Sequence, residues 1–84
     1  MAVNGMRIYG VYKFENHPEW NVLVTDFRKY NGGKIVVLRG LAFLENGDFE
    51  TIVELDIKRL EKNPVEIGYV YGEGRGTLHL INLC

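Results

Sequence analysis

The chain has 84 residues, of which 46% are hydrophobic and 25% charged, and its formal net charge is −1. This length predicts one domain spanning residues 1–84, and the composition excludes a disordered chain. The near-neutral charge gives no general attraction to nucleic acid or to an anionic membrane, and no run of residues is apolar for long enough to predict a membrane span.

The first predicted element is a β-strand over residues 6–14, MRIYGVYKF. Apolar residues alternate along it, as expected for a half-buried strand. The parity predicted to face the core consists of Met6, Ile8, Tyr12 and Phe14. The parity predicted to face outward consists of Arg7, Tyr9, Val11 and Lys13.

The next segment, residues 15–33, predicts an α-helix. Its apolar residues recur at the spacing of one helical stripe: Trp20, Leu23, Val24, Phe27 and Tyr30. Asn16 is placed to cap the first turn, and Asn31-Gly32-Gly33 can provide a left-handed end. The β-branched residues Val22, Val24 and Thr25 favour a strand, so this alternative stays open.

Residues 34–57 predict a β-hairpin with Asn46-Gly47 at its turn, a strong hairpin signal. In the second arm, the residues predicted to face inward are Phe49, Thr51, Val53, Leu55 and Ile57. The acidic residues between them are predicted to face water. Arms of this length must coil around so small a core, and Gly40 is the predicted bend.

The remaining predicted elements are a polar connection over residues 58–64 and two strands over residues 65–71 and 77–83. The order β-α-β-β-β-β predicts an α+β fold, with one helix packed on a strongly curved, mostly antiparallel five-stranded sheet. This order resembles that of cystatin-like proteins. Their Gln-x-Val-x-Gly loop is replaced here by LENGDFE, so the resemblance implies an architecture and not an inhibitory function. The alternative is a small SH3- or Sm-like β-barrel with an added helix.

The glycine-rich stretch GEGRGT, residues 72–77, predicts a turn between two strands. A phosphate-binding glycine loop normally leads into a helix, whose N-terminal amides bind the anion. Here the following residues, TLHLI, favour a strand. Arg75 is then an exposed contact residue at the tip of the turn.

The sequence predicts no enzyme activity and no catalytic, metal or cofactor site. It contains no serine, which excludes a serine nucleophile. Cys84 is the single cysteine, so an intramolecular disulfide is excluded and a cytoplasmic location is expected. Together with His17 and His79 it lacks the paired spacing of zinc ligands.

Charge is unevenly distributed along the chain. Residues 7–39 contain six basic and three acidic side chains, whereas residues 45–66 contain three basic and seven acidic ones. Such polarity can orient a partner or bring copies of the chain together.

We predict a small binding protein that acts on another protein or on itself, as an adaptor, regulator or inhibitor of the kind that phages and mobile elements often carry. Tyrosine suits interfaces because it combines apolar area with one polar tip, and the chain has five. The residues predicted to bind protein are Tyr9, Val11, Ile52, Tyr69, Tyr71 and Arg75.

The alternative function is binding of RNA or single-stranded DNA. RGLAFLEN, residues 39–46, resembles the octapeptide of the RNA-recognition-motif family, and RIYGVY, residues 7–12, resembles its partner hexapeptide. Leu41 and Asn46 stand where that family has aromatic residues. The resemblance implies a basic, aromatic sheet face formed by Arg7, Tyr9, Lys13, Arg39 and Phe43.

Overall fold

The structure, a computed structural model, describes residues 2–72 and 78–82. These residues form eight β-strands and two short 3₁₀ turns, Asn31–Gly33 and Ile57–Arg59. The strands are β1 (Ala2–Val3), β2 (Met6–Arg7), β3 (Gly10–Phe14), β4 (His17–Tyr30), β5 (Ile35–Phe43), β6 (Phe49–Asp56), β7 (Glu66–Gly72) and β8 (Leu78–Asn82).

The main sheet has six strands in the order β6-β5-β4-β3-β7-β8, and every neighbouring pair is antiparallel. Strands β1 and β2 form a separate small hairpin. The two edges of the main sheet are therefore β6 and β8. Among the described residues, no helix is long and apolar enough to cross a membrane.

The predicted helix is wrong: residues 17–30 form the long central strand β4. In the described part of the chain no helix packs on the sheet, so neither the α+β fold nor the barrel with an added helix is correct. The misleading spacing comes from a β-bulge, because the register of β4 with β5 shifts between Val24 and Asp26. Trp20, Val24 and Phe27 pack on the same core at positions i, i+4 and i+7, which is also the spacing of a helical stripe.

Burial on both faces of the chain at its centre fits β4 as a strand. Val22, Leu23 and Val24 are consecutive and all buried, as expected of a central strand whose two faces are both covered. A straight strand of 14 residues would measure about 46 Å, more than the 35 Å long axis of the domain. The bulge at Thr25 increases the local bend and lets β4 curl within that length.

The predicted hairpin is confirmed in β5 and β6. Leu44 and Asp48 close its turn, with the Leu44 amide donating to the Asp48 carbonyl at 2.9 Å. Gly47 has a φ of 91°, a left-handed conformation that glycine adopts at little cost. The two final predicted strands are also confirmed, as β7 and β8, and they pair with each other.

One face of the sheet, here called the core face, carries the main hydrophobic cluster. Its buried members are Met6, Tyr12, Phe14, Val22, Val24, Leu38, Ala42, Val53, Ile57 and Leu60. Met6 comes from the small hairpin and Ile57 and Leu60 from the connection after β6, so these two segments close the core where the predicted helix was expected.

Two residues predicted to face the core are exposed instead. Ile8 lies in a turn between β2 and β3, which divides the first predicted strand in two. Phe49 is displaced by a second bulge, where the register of β5 with β6 shifts between Ala42 and Phe43. A bulge moves all residues beyond it to the other face of the sheet.

Candidate binding surface

An apolar row crosses the face of the sheet opposite the core face. Directly paired residues project to the same side, and the row consists of the successive cross-strand partners Gly68, Val11, Leu23, Leu41 and Ile52. Val11 and Leu23 are buried, whereas Ile52 at the end of the row is 61% exposed. Val11, predicted as a contact residue, is therefore not accessible, but Ile52 is.

The outer edge of β6 carries two of the most exposed large apolar side chains among the described residues. Besides Ile52, this strand presents Phe49, which is 54% exposed and contacts Phe43 edge-to-face with a ring separation of 5.8 Å. On one side β6 pairs with β5, and no described strand pairs with its other side. Backbone N–H and C=O groups along that side are free to pair with an added strand. We call Phe49–Asp56 the β6 edge.

Acidic side chains surround the β6 edge. Residues 45–56 contain Glu45, Asp48, Glu50, Glu54 and Asp56 and no lysine or arginine. Glu54 contacts two residues of its own sheet. The Tyr30 hydroxyl donates to its carboxylate at 3.2 Å, and Arg39 Nε lies 3.2 Å from the same carboxylate. Asp56 accepts from the Lys58 amide. Glu50 is exposed and forms no ion pair with any described residue.

The cations of the predicted nucleic-acid surface all have carboxylate partners. Lys13 contacts Glu45. Arg39 forms an ion pair with Glu54 on β6 and is the cross-strand partner of Asp26 on β4. Arg7 pairs with Glu66 at 2.6 Å. Of the five residues predicted for that surface, Lys13, Arg39 and Phe43 share the face opposite the core face, and these pairings neutralise its basic charge.

Arg7 belongs to a separate cluster on β2 and β7. Its guanidinium donates through Nε and Nη2 to Glu66 Oε1, at 2.9 and 2.6 Å, and lies 4.6 Å from the centre of the Tyr69 ring. The hydrogen bond to Glu66 raises the pKa of Arg7. Tyr69, predicted as a contact residue, is thus partly covered by Arg7.

Tyr12 connects the same cluster to the core. Its ring is fully buried, while its hydroxyl accepts from the Arg7 amide at 2.9 Å and donates to Glu66 Oε2 at 3.3 Å. Burial is the main cause that raises the pKa of Tyr12, since the phenolate would lose its hydration.

Glu66→Gln tests how much the Arg7 pair contributes to stability. Because half of the Arg7 side chain is exposed, water screens the pair, and we expect only a small loss in the free energy of unfolding. Urea denaturation at low and high salt measures this loss. It should shrink with added salt, and a larger, salt-independent loss would mean that the Tyr12 hydrogen bond is the stronger contact.

Tyr9 is exposed, as its predicted contact role requires, at 48% of its surface. Its backbone has a φ of 68°, an unusual value for a bulky residue. Two hydrogen bonds of 2.7 Å fix this conformation, one from the Tyr9 amide to the Val24 carbonyl and one from the Val70 amide to the Tyr9 carbonyl. Tyr9 thereby joins β4 to β7 beside the Thr25 bulge.

Several predicted features lie outside the described residues. These include Arg75, Cys84 and the centre of the glycine-rich stretch, and the side chains of Tyr71 and His79 are not described either. Strands β7 and β8 on either side of the glycines pair antiparallel. Among the described residues, no three histidine, cysteine, aspartate or glutamate side chains are grouped to hold a metal ion.

Sequence reasoning missed the β6 edge as a unit. It selected Ile52 but assigned Phe49 to the core, because a strict two-residue period places Phe49 with Val53. The one available signal was the acidic alternation of Glu50, Glu54 and Asp56, which is a common way of protecting an edge strand.

Comparisons with known proteins give no relative from which a function could be transferred. No protein-family model, no curated protein and no solved structure matches this chain.

Proposed function

We propose that this chain is a non-enzymatic protein-binding domain whose contact surface is the β6 edge with its two exposed apolar side chains. The observation that carries the proposal is the exposure of Ile52 and Phe49 on a strand with one unpaired side. Exposed apolar groups next to free backbone donors and acceptors form a surface that gains both hydrophobic and hydrogen-bonding free energy when a protein covers it.

Nucleic-acid binding is the less favoured alternative because of the charges. Binding to RNA or single-stranded DNA gains most of its affinity from cations that contact phosphates. Lys13, Arg39 and Arg7 are each paired with a carboxylate, and the exposed end of the apolar row lies in an acidic segment. Adaptor, regulator and inhibitor roles, encoding by a phage or mobile element, and a cytoplasmic location all stay predictions.

Site-specific photocrosslinking in the native host tests the proposed function. A benzophenone amino acid in place of Ile52 is expected to give discrete protein adducts, because this side chain would lie inside the interface. The matched control carries the same group in place of Lys34, which is exposed immediately before β5 and should give none.

Two outcomes would contradict the proposal. Equal adduct patterns from both positions would indicate nonspecific contact. Adducts to RNA whose yield falls steeply between about 50 and 200 mM salt would favour the nucleic-acid alternative.

A further inference from the structure

We propose that the partner of the β6 edge is a basic, extended segment of another protein, which adds to the sheet as a seventh strand. This inference rests on the proposed function and specifies the chemistry and the conformation of the partner. Three properties of the edge support it: its unpaired backbone, the two faces that it presents, and its charge.

The backbone of β6 requires an extended partner. An added strand can hydrogen-bond to the unpaired side of Phe49–Asp56 and continue the antiparallel sheet. Its side chains would then alternate between the two faces. On the core face they would lie beside Thr51, Val53 and Leu55, and on the opposite face beside Ile52. Apolar residues at alternate positions would pack on the core face beside Val53 and Leu55, and the residues between them would lie on the face that carries Glu50, Ile52 and Glu54.

The charge of β6 argues against a second copy as the occupant. Two copies of β6 that pair antiparallel with their faces aligned must be centred on one residue. Centring on Ile52 places Glu50 opposite Glu54, and centring on Val53 places Glu50 opposite Asp56. Centring on Glu54 places the two Glu54 side chains opposite each other, and centring on Thr51 aligns only the short stretch 49–53. Like charges directly opposite each other are destabilising.

A basic strand would replace this repulsion between like charges with attraction. Lysine or arginine between its apolar positions would lie near Glu50, the exposed carboxylate without a described ion-pair partner. Glu54 is already engaged by Tyr30 and Arg39, so Glu50 is the group expected to select the cation. Electrostatic complementarity of this kind contributes specificity as well as affinity.

Fluorescence anisotropy with labelled synthetic hexapeptides tests the inference. The probe KVRVKV should bind, and EVEVEV should bind at least about tenfold more weakly because its charges oppose those of β6. A KVRVKV peptide with alternate backbone nitrogens methylated keeps its charge but loses donors along one edge. It should also lose at least about tenfold in affinity, because strand addition depends on backbone hydrogen bonds.

Variants of the protein locate the site. Glu50→Lys should weaken KVRVKV binding about tenfold. Glu15→Lys makes the same change of charge on the exposed turn between β3 and β4 and should leave binding unchanged. Circular dichroism establishes that both variants are folded.

Several results would overturn the inference. If the methylated and unmethylated KVRVKV peptides bound equally well, the interaction would be charge attraction alone. If Glu50→Lys and Glu15→Lys weakened binding equally, the site would lie away from the β6 edge. A dimer seen by sedimentation and abolished by Ile52→Lys would make a second copy the occupant. If no peptide binds while the Ile52 crosslinker still captures a protein, strand addition is wrong and the proposed function stands.

Discussion

Gly40→Ala is expected to lower the free energy of unfolding by about 1–3 kcal/mol, the usual cost of forcing an extra group into a packed interior. A methyl group at Gly40 would lie 2.5 Å from the Leu23 carbonyl oxygen and 2.9 Å from Val22 Cγ1. The closest atom belongs to the backbone of β4 and cannot turn aside like a flexible side chain. Strands β4 and β5 would have to separate at the point where Gly40 pairs with Val24.

Urea denaturation of Gly40→Ala and Gly32→Ala separates the effect of this contact from that of glycine itself. Gly32 has a φ of 67°, and a methyl group there would meet nothing within 4 Å. Its replacement should cost about 1 kcal/mol, from the left-handed backbone alone. A smaller loss at Gly40 than at Gly32 would show that β4 and β5 can move apart freely, contrary to the close approach in the structure.

Gly40 also illustrates which part of the fold the sequence could predict. Its expected role at a bend is consistent with its position opposite the Val24–Asp26 register shift. The bulge itself was not predictable, because it arises from the pairing of β4 with a strand that follows in the sequence. When the bulge is not known, the three-residue spacing between the apolar residues Val24 and Phe27 indicates a helix. Local turn chemistry at Asn46-Gly47 needs no such partner, and there the prediction was correct.

The candidate surface was predictable to the same limited extent. Period-two alternation selected Ile52 as an exposed apolar residue, and the structure places it on an exposed edge. The pairing of cations with carboxylates was not visible, since Arg7 and Glu66 are 59 positions apart and Arg39 and Glu54 meet only across β5 and β6. Charge counted along the sequence therefore suggested a basic face that the fold neutralises.

Tyr12→Phe is expected to lower the free energy of unfolding by about 1–3 kcal/mol at neutral pH. The substitution keeps the buried ring but removes the hydroxyl, which leaves the Arg7 amide without its 2.9 Å acceptor and removes a donor to Glu66. The hydrogen bond is part-buried, and an amide that loses its acceptor where water has limited access costs more than the hydrogen bond contributed. Urea denaturation at pH 7 measures the loss, and Tyr9→Phe, at an exposed tyrosine, is the control.

The same variant predicts a difference above pH 10. Burial raises the pKa of Tyr12 above its ordinary value of 10.0, so the folded protein holds this proton more tightly than the unfolded chain does. The stability that follows from this difference is intact below pH 10 and is lost as the pH rises through the raised pKa of the folded state. Tyr12→Phe lacks the titrating group, so its free energy of unfolding should decline less steeply as the pH rises. The free energies of unfolding of the two proteins should therefore converge at alkaline pH. Every other side chain is common to the two proteins, so the difference between them reports on Tyr12. Parallel decline of the two proteins between pH 9 and about 11 would mean that the Tyr12 hydroxyl reaches water in the folded state.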